Sequence, residues 1–104
     1  MTKESKKRRA ALFTLIAQIP HGRVTTYGEL GRALNFHPRV VGRLLHTNTD
    51  PFNTPCHRVV RSSGELAGGY VFGGPNLQHK LLHSEGILFV REKIDLKTYG
   101  WEVP

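Results

Sequence analysis

The chain has 104 residues, 38% of them hydrophobic, enough for one modest core and too few for a second domain. Its net charge of +7, from 15 basic and 8 acidic residues, disfavours acidic scaffolds and points toward a polyanionic partner or a solvated basic face. No apolar run reaches the length of a membrane span, and a single cysteine excludes an internal disulfide.

The first ten residues, Met1 to Ala10, are polar and basic with no apolar signal core, which predicts a cytoplasmic protein whose residues 1–8 form a mobile basic tail on a single domain spanning 1–104. Lys3, Lys6, Lys7, Arg8 and Arg9 stand there against Glu4 alone. Leu12, Leu15, Ile16 and Ile19 then recur at helical spacing, and Pro20 ends the run. His21-Gly22 turns the chain into a short extended piece, Arg23-Val24-Thr25. Thr26 followed by Glu29 has the spacing of a capping box and predicts a helix over Tyr27–Leu34.

Asn35-Phe36-His37 reads as a tight turn. Pro38 suits the first position of another helix, running to about His46, because its missing N–H costs nothing there. Two short helices joined in this way form a helix-turn-helix pattern. On the second, Val40, Val41, Leu44 and Leu45 make the apolar face. Arg39, Arg43 and His46 share another face, with Gly42 leaving the backbone open to a partner. The basic excess of residues 20–61 is all arginine, the side chain best suited to phosphates and base edges.

Asn48 to Pro55 is irregular and Arg58-Val59-Val60 extended. Ser62-Ser63-Gly64 is a turn and Gly68–Gly74 a glycine-rich loop. Pro75–Ser84 reads as the last helix, with Leu77, Leu81 and Leu82 inward and Gly86 as its stop. Ile87–Val90 and Ile94–Tyr99 are short strands or an ordered tail. The predicted class is mainly α with short β hairpins, a winged-helix or helix-turn-helix DNA-binding domain.

Within Thr54-Pro55-Cys56-His57-Arg58-Val59-Val60, Cys56 is open to two readings: a small buried hydrophobe, or a nucleophile. A free thiol is only a few per cent thiolate at neutral pH, so nucleophilic use needs an imidazole, a cation or a helix N-terminus beside it. His57 and Arg58 are adjacent in sequence, but in a strand they would point to opposite faces, so cooperation requires the chain to turn at this point. His79 and His83 stand at i, i+4, a spacing that can chelate zinc, but no further ligand motif accompanies them, and no metal site is expected.

Pro55-Cys56-His57-Arg58-Val59-Val60 resembles the active-site signature of the O6-alkylguanine-DNA alkyltransferases, which move an alkyl group from an extruded guanine onto a cysteine. The resemblance runs from about Leu12 to Gly86. It includes Gly22-Arg23-Val24-Thr25-Thr26-Tyr27, the Pro38-Arg39 helix start and Leu81-Leu82-His83-Ser84-Glu85-Gly86. It implies that Cys56 accepts the alkyl group, that His57 is the base through a bridging water, and that Glu85 orients His57. It further implies that Asn48 holds the hinge beside the recognition helix, that Tyr27 presses on a phosphate to rotate the nucleotide, and that Arg39 fills the gap in the stack. Thr26, Gly42, Arg43 and Arg58 are expected to join them at the DNA, with Tyr70, Pro55 and Val71 around the base.

The implied partner is duplex DNA carrying O6-alkylguanine, bound by a monomer, with no metal or organic cofactor and no membrane. The resemblance does not include the N-terminal domain usual in the repair transferases. The loop Gly68–Gly74 is longer than usual, and the ending Ile94–Trp101 is similar to that of the alkyltransferase-like proteins, which bind alkylated DNA without repairing it and usually lack the cysteine. Three readings follow. One is a single-turnover DNA methyltransferase; the second is a non-enzymatic lesion sensor that recruits nucleotide excision repair proteins; the third, a plain winged-helix DNA-binding protein or regulator, explains the charge but not Thr54–Val60.

Overall fold

The computed structural model describes residues 1–104. Five helices carry the fold: α1 (Lys3–Ile16), α2 (Tyr27–Leu34), α3 (Pro38–Leu45), α4 (Gly74–Ser84) and α5 (Leu96–Tyr99). Two two-residue strand pairs join them. β1 (Thr25–Thr26) runs parallel to β2 (Val59–Val60), and β3 (Phe89–Val90) runs antiparallel to β4 (Lys93–Ile94). Only the second pair is a hairpin; the first is a crossover pairing that ties the start of α2 to the segment after Cys56. No helix is long and apolar enough to cross a membrane.

Helix α1 starts earlier than the apolar periodicity suggests. Thr2 caps it by accepting from the Ser5 N–H, and Glu4 sits in its first turn, where a carboxylate favours the helix dipole. The segment 1–8 is therefore mostly the opening of α1, not a tail. Leu12, Leu15 and Ile16 enter a ten-residue core cluster with Ile19, Leu30, Val41, Leu44, Leu45, Cys56 and Val59. A second cluster, Val24, Val60, Leu82, Ile87 and Ile94, lies under the hairpin.

The helix-turn-helix forms as its caps dictate. The Thr26 hydroxyl accepts from the Glu29 N–H, while the Glu29 carboxylate pairs with Arg32 instead of closing the box. Asn35 ends α2 in the left-handed region that asparagine tolerates, and His37 caps α3 through Nδ1 to the Arg39 N–H at 3.1 Å. Gly31 packs so tightly that an added Cβ would collide with the Phe36 carbonyl, which sets how closely α2 meets the turn.

Three expectations on the C-terminal side are corrected. On α4 the buried residues are Gln78 and Leu82, while Leu77 is exposed. Helix α4 is not the last: Asp95 caps α5 by accepting from the Lys97 N–H, so Leu96–Tyr99 is helical rather than extended. Arg58 lies in a 3₁₀ turn, Cys56–Arg58, and not in the strand that follows. As expected, Gly86 stops α4. Its N–H reaches the His83 carbonyl and the Ile87 N–H the Leu82 carbonyl, a Schellman motif with Gly86 at φ 91°.

Candidate active site

Cys56 opens the 3₁₀ turn, where the Arg58 N–H closes onto the Pro55 carbonyl. This is the turn that cooperation between Cys56 and His57 requires. The thiol is 5% exposed. The Asn48 amide donates to Cys56 Sγ at 3.3 Å and to the Thr54 carbonyl at 2.9 Å, and its Oδ1 accepts the Asp50 N–H. Asn48 is thus in contact with the sulfur as well as bracing the loop after α3. Burial pushes the thiol pKa up and the Asn48 hydrogen bond partly offsets this, so the resting group is the thiol.

His57 is 7% exposed, and its Nε2 lies 2.6 Å from Glu85 Oε2. Glu85 also accepts Arg58 Nε at 2.9 Å and the Gly22 N–H at 3.0 Å. Burial alone would raise the Glu85 pKa; the bonds from Arg58, His57 and Gly22 overturn it and hold the carboxyl at about 2. Burial lowers the His57 pKa, with Glu85 opposing. A neutral imidazole facing an ionised carboxylate must donate through Nε2, which leaves the lone pair on Nδ1.

Arg58, expected at the DNA surface, faces inward. Besides Glu85 it donates to the Ile19 carbonyl at 2.8 Å, and its side chain is 15% exposed. The guanidinium is thus engaged by a buried carboxylate and the exit of α1 rather than presented to a partner. Thr26 is also buried, its hydroxyl spent on the α2 cap.

A cavity of about 260 Å³ lies against Cys56. Its walls include Tyr27 from α2, Gly42, Leu45 and His46 from α3, and Gly69, Tyr70 and Val71 from the glycine-rich loop. At this size it is smaller than most drug-sized pockets, which run from about 300 to 1,000 Å³, and suits one planar ring system. Tyr70 stands edge-on to His57 at 6.4 Å between ring centroids and packs on Phe72. The structure thus brings Tyr27, Gly42, Tyr70 and Val71 together with Cys56. Pro55, expected in the pocket, is instead buried behind it as the residue preceding the 3₁₀ turn.

Arg39 and Arg43 project from the exposed face of α3, and neither side chain has a hydrogen-bond partner. Sequence reasoning missed five wall residues, Leu45, His46, Ala67, Gly69 and Gln78, and the two polar ones are instructive. His46 was grouped with the arginines, but one further step round the helix turns it toward Gly69. Gln78 is 3% exposed and donates to both the His57 and Val59 carbonyls, at 3.0 and 3.3 Å. Its polarity argued for the surface; only the carbonyls freed by the 3₁₀ turn explain its burial. His79, weighed as a metal ligand, stacks on Phe89 at 3.9 Å.

A family model described as the DNA-binding domain of 6-O-methylguanine DNA methyltransferase matches residues 7–87. Among curated relatives, a bifunctional methyltransferase/endonuclease of Picrophilus torridus is 42% identical over 92 residues, covering 85% of this chain and 30% of that protein. A methylated-DNA–protein-cysteine methyltransferase of Methanopyrus kandleri is 43% identical over 74 residues, covering 71% and 54%. This chain therefore spans between about a third and a half of those relatives.

Among solved structures, S. pombe Atl1 in complex with damaged DNA containing O6-carboxymethylguanine superposes with a TM-score of 0.82 at 26% identity, covering 97% of this chain and 98% of that one. The O6-methylguanine-DNA methyltransferase of Pyrococcus kodakaraensis KOD1 gives 0.64 at 37% identity, covering 84% and 48%.

Proposed function

This chain belongs to the family of the 6-O-methylguanine DNA methyltransferase DNA-binding domain, and from that premise we propose that it repairs O6-alkylguanine in duplex DNA by taking the alkyl group onto Cys56. The observation that carries the reading is the coupled set around one turn: a thiol on the cavity wall, and a neutral imidazole fixed by a carboxylate that an internal arginine keeps ionised.

The chemistry follows from these residues. Arg39 and Arg43 hold the backbone beside the lesion, and Arg39 fills the stack that the extruded base leaves, at a cost of a few kcal/mol. Tyr27 bears on the nucleotide at the mouth, and Tyr70 and Val71 wall the base. His57 Nδ1 takes the thiol proton through a water. The sulfur attacks the alkyl carbon, the carbon–O6 bond breaks with its electron pair going to the guanine, and the released proton ends on that guanine. A thioether has no easy hydrolytic exit, so each molecule acts once.

The test is intact-mass measurement after mixing the protein with a duplex carrying O6-methylguanine. A single methyl gain, absent in Cys56→Ala, is the expected result. Tight binding to the lesion with no mass gain would replace this reading with that of a lesion sensor. Two observations favour that second reading: the whole-chain likeness to Atl1, where the transferase likeness covers part of the partner chain, and the raised thiol pKa. Nucleotide excision repair proteins would then be the partners.

A further inference from the structure

The proposed function uses α3 and leaves the most strongly charged element of the molecule without a role. Residues 3–9 of α1 carry Lys3, Lys6, Lys7, Arg8 and Arg9. Arg9 donates to the Thr47 hydroxyl and to the Thr47 carbonyl, both at 2.8 Å, which fastens α1 to the residue two places after α3. Arg8 pairs with Glu4, and its guanidinium lies 5.5 Å from the Phe36 ring centre in the α2–α3 turn. A groove between the two helices has Arg8 on one bank and Arg43 on the other, with Val40 and Leu44 lining it. Glu4, the only acid of the segment, is thus used within the helix, while Lys3, Lys6 and Lys7 are exposed with no acidic partner.

We propose that the opening turns of α1, where Lys6 and Arg9 line one hollow with Thr47 just past α3, form a second DNA-backbone surface that grips phosphates flanking the lesion through Lys3, Lys6 and Lys7. This rests on the proposed function for the placement of the duplex along α3. Charge complementarity selects the partner: a flexible ammonium suits a phosphate and carries no sequence information. An anionic membrane is the weaker fit. A basic interfacial helix needs an apolar face to bury in the bilayer, and the apolar face of α1 is already committed to the core through Leu12, Leu15 and Ile16.

The experiment compares the parent chain with the triple variant Lys3→Gln, Lys6→Gln, Lys7→Gln, in which glutamine keeps the helix propensity. Affinities for plain and O6-methylguanine duplexes are measured from about 50 to 200 mM salt. Each lost phosphate contact lowers the salt slope by about 0.9, so the expected fall is about two to three, with a loss of roughly ten-fold or more at the low-salt end. That loss is the same for both duplexes. An unchanged slope overturns the inference, as does a loss confined to the lesion duplex or one seen only on phosphatidylserine vesicles. If the parent chain shows no preference for the lesion while the slope still falls, the repair reading fails and this surface stands. Circular dichroism of the variant checks that α1 remains helical.

Discussion

Two arginine-bearing regions of this molecule treat the same side chain in opposite ways. At the cysteine turn, Arg58 is enclosed and every donor direction described for it ends on Glu85 or the Ile19 carbonyl. On α3, Arg39 and Arg43 stand in solvent with no partner. The first arginine organises the interior; the other two are left for something outside. In a strongly basic chain, then, charge alone does not locate a binding face. The arginines that matter for a partner are those the fold has not already used.

The contrast can be broken most sharply at Glu85. Glu85→Ala strands the buried Arg58 cation and frees His57, and should cost about 3–5 kcal/mol of stability in a urea titration. Acid should do the same by degrees. Glu85 is held at about 2 against an ordinary 4.5, so its contribution is full above pH 4.5 and drains as pH falls toward 2. His57 is also lowered, so the unfolded chain protonates first, and some stability is lost as soon as pH drops below its ordinary 6.5. At the other end the Cys56 and Tyr27 pKa values are raised, so stability declines as pH climbs above about 9. Melts across pH should show both flanks, and Glu85→Gln should remove the acid-side loss below 4.5.

On the outer face the effects move from stability to binding. Arg39→Ala should leave folding within about 0.5 kcal/mol yet weaken lesion-duplex binding by about 10- to 100-fold, since a groove contact is worth about 1–3 kcal/mol. A loss larger than that of Lys6→Ala is expected; equal losses would remove α3 from its role. Gly42→Ala sharpens the comparison further. A Cβ there meets nothing nearer than the Tyr27 ring at 4.0 Å, so the helix should gain up to about 1 kcal/mol. Duplex affinity should fall even so, because the methyl stands where the backbone approaches its partner.

Much of this was legible in the residues. Thr26 and Pro38 start their helices and Gly86 stops α4 because caps are local chemistry, decided within a turn or two of chain. Asn48 meets the Cys56 sulfur and Glu85 meets the His57 ring, contacts between residues that the resemblance to the alkyltransferases groups together. What sequence could not reveal was direction. Leu77 and Gln78 are neighbours, and hydropathy puts the leucine inside; the carbonyls of His57 and Val59, from a distant segment, reverse that. Arg58 looked like one more basic contact because its partners lie 39 residues before it and 27 after it. The parallel β1–β2 pairing is two residues long, too short to carry any periodicity. Ile94–Tyr99 read as a short strand or an ordered tail, and the single Asp95 cap decides for a helix over Leu96–Tyr99.

Gln78 on α4 and Glu85 at its C-cap lie about two turns apart, so both reach the cysteine turn from one side of the same rod. The cysteine turn is therefore held to the pitch of a helix, whereas Gly69, Tyr70 and Val71 hang on a separate, glycine-punctuated segment. Inserting one residue into α4 would throw its two grips out of phase by about 100°, while lengthening the loop would only re-tailor the opposite wall. The architecture thus lets one wall of the cavity drift in shape across variants without shifting the cysteine turn.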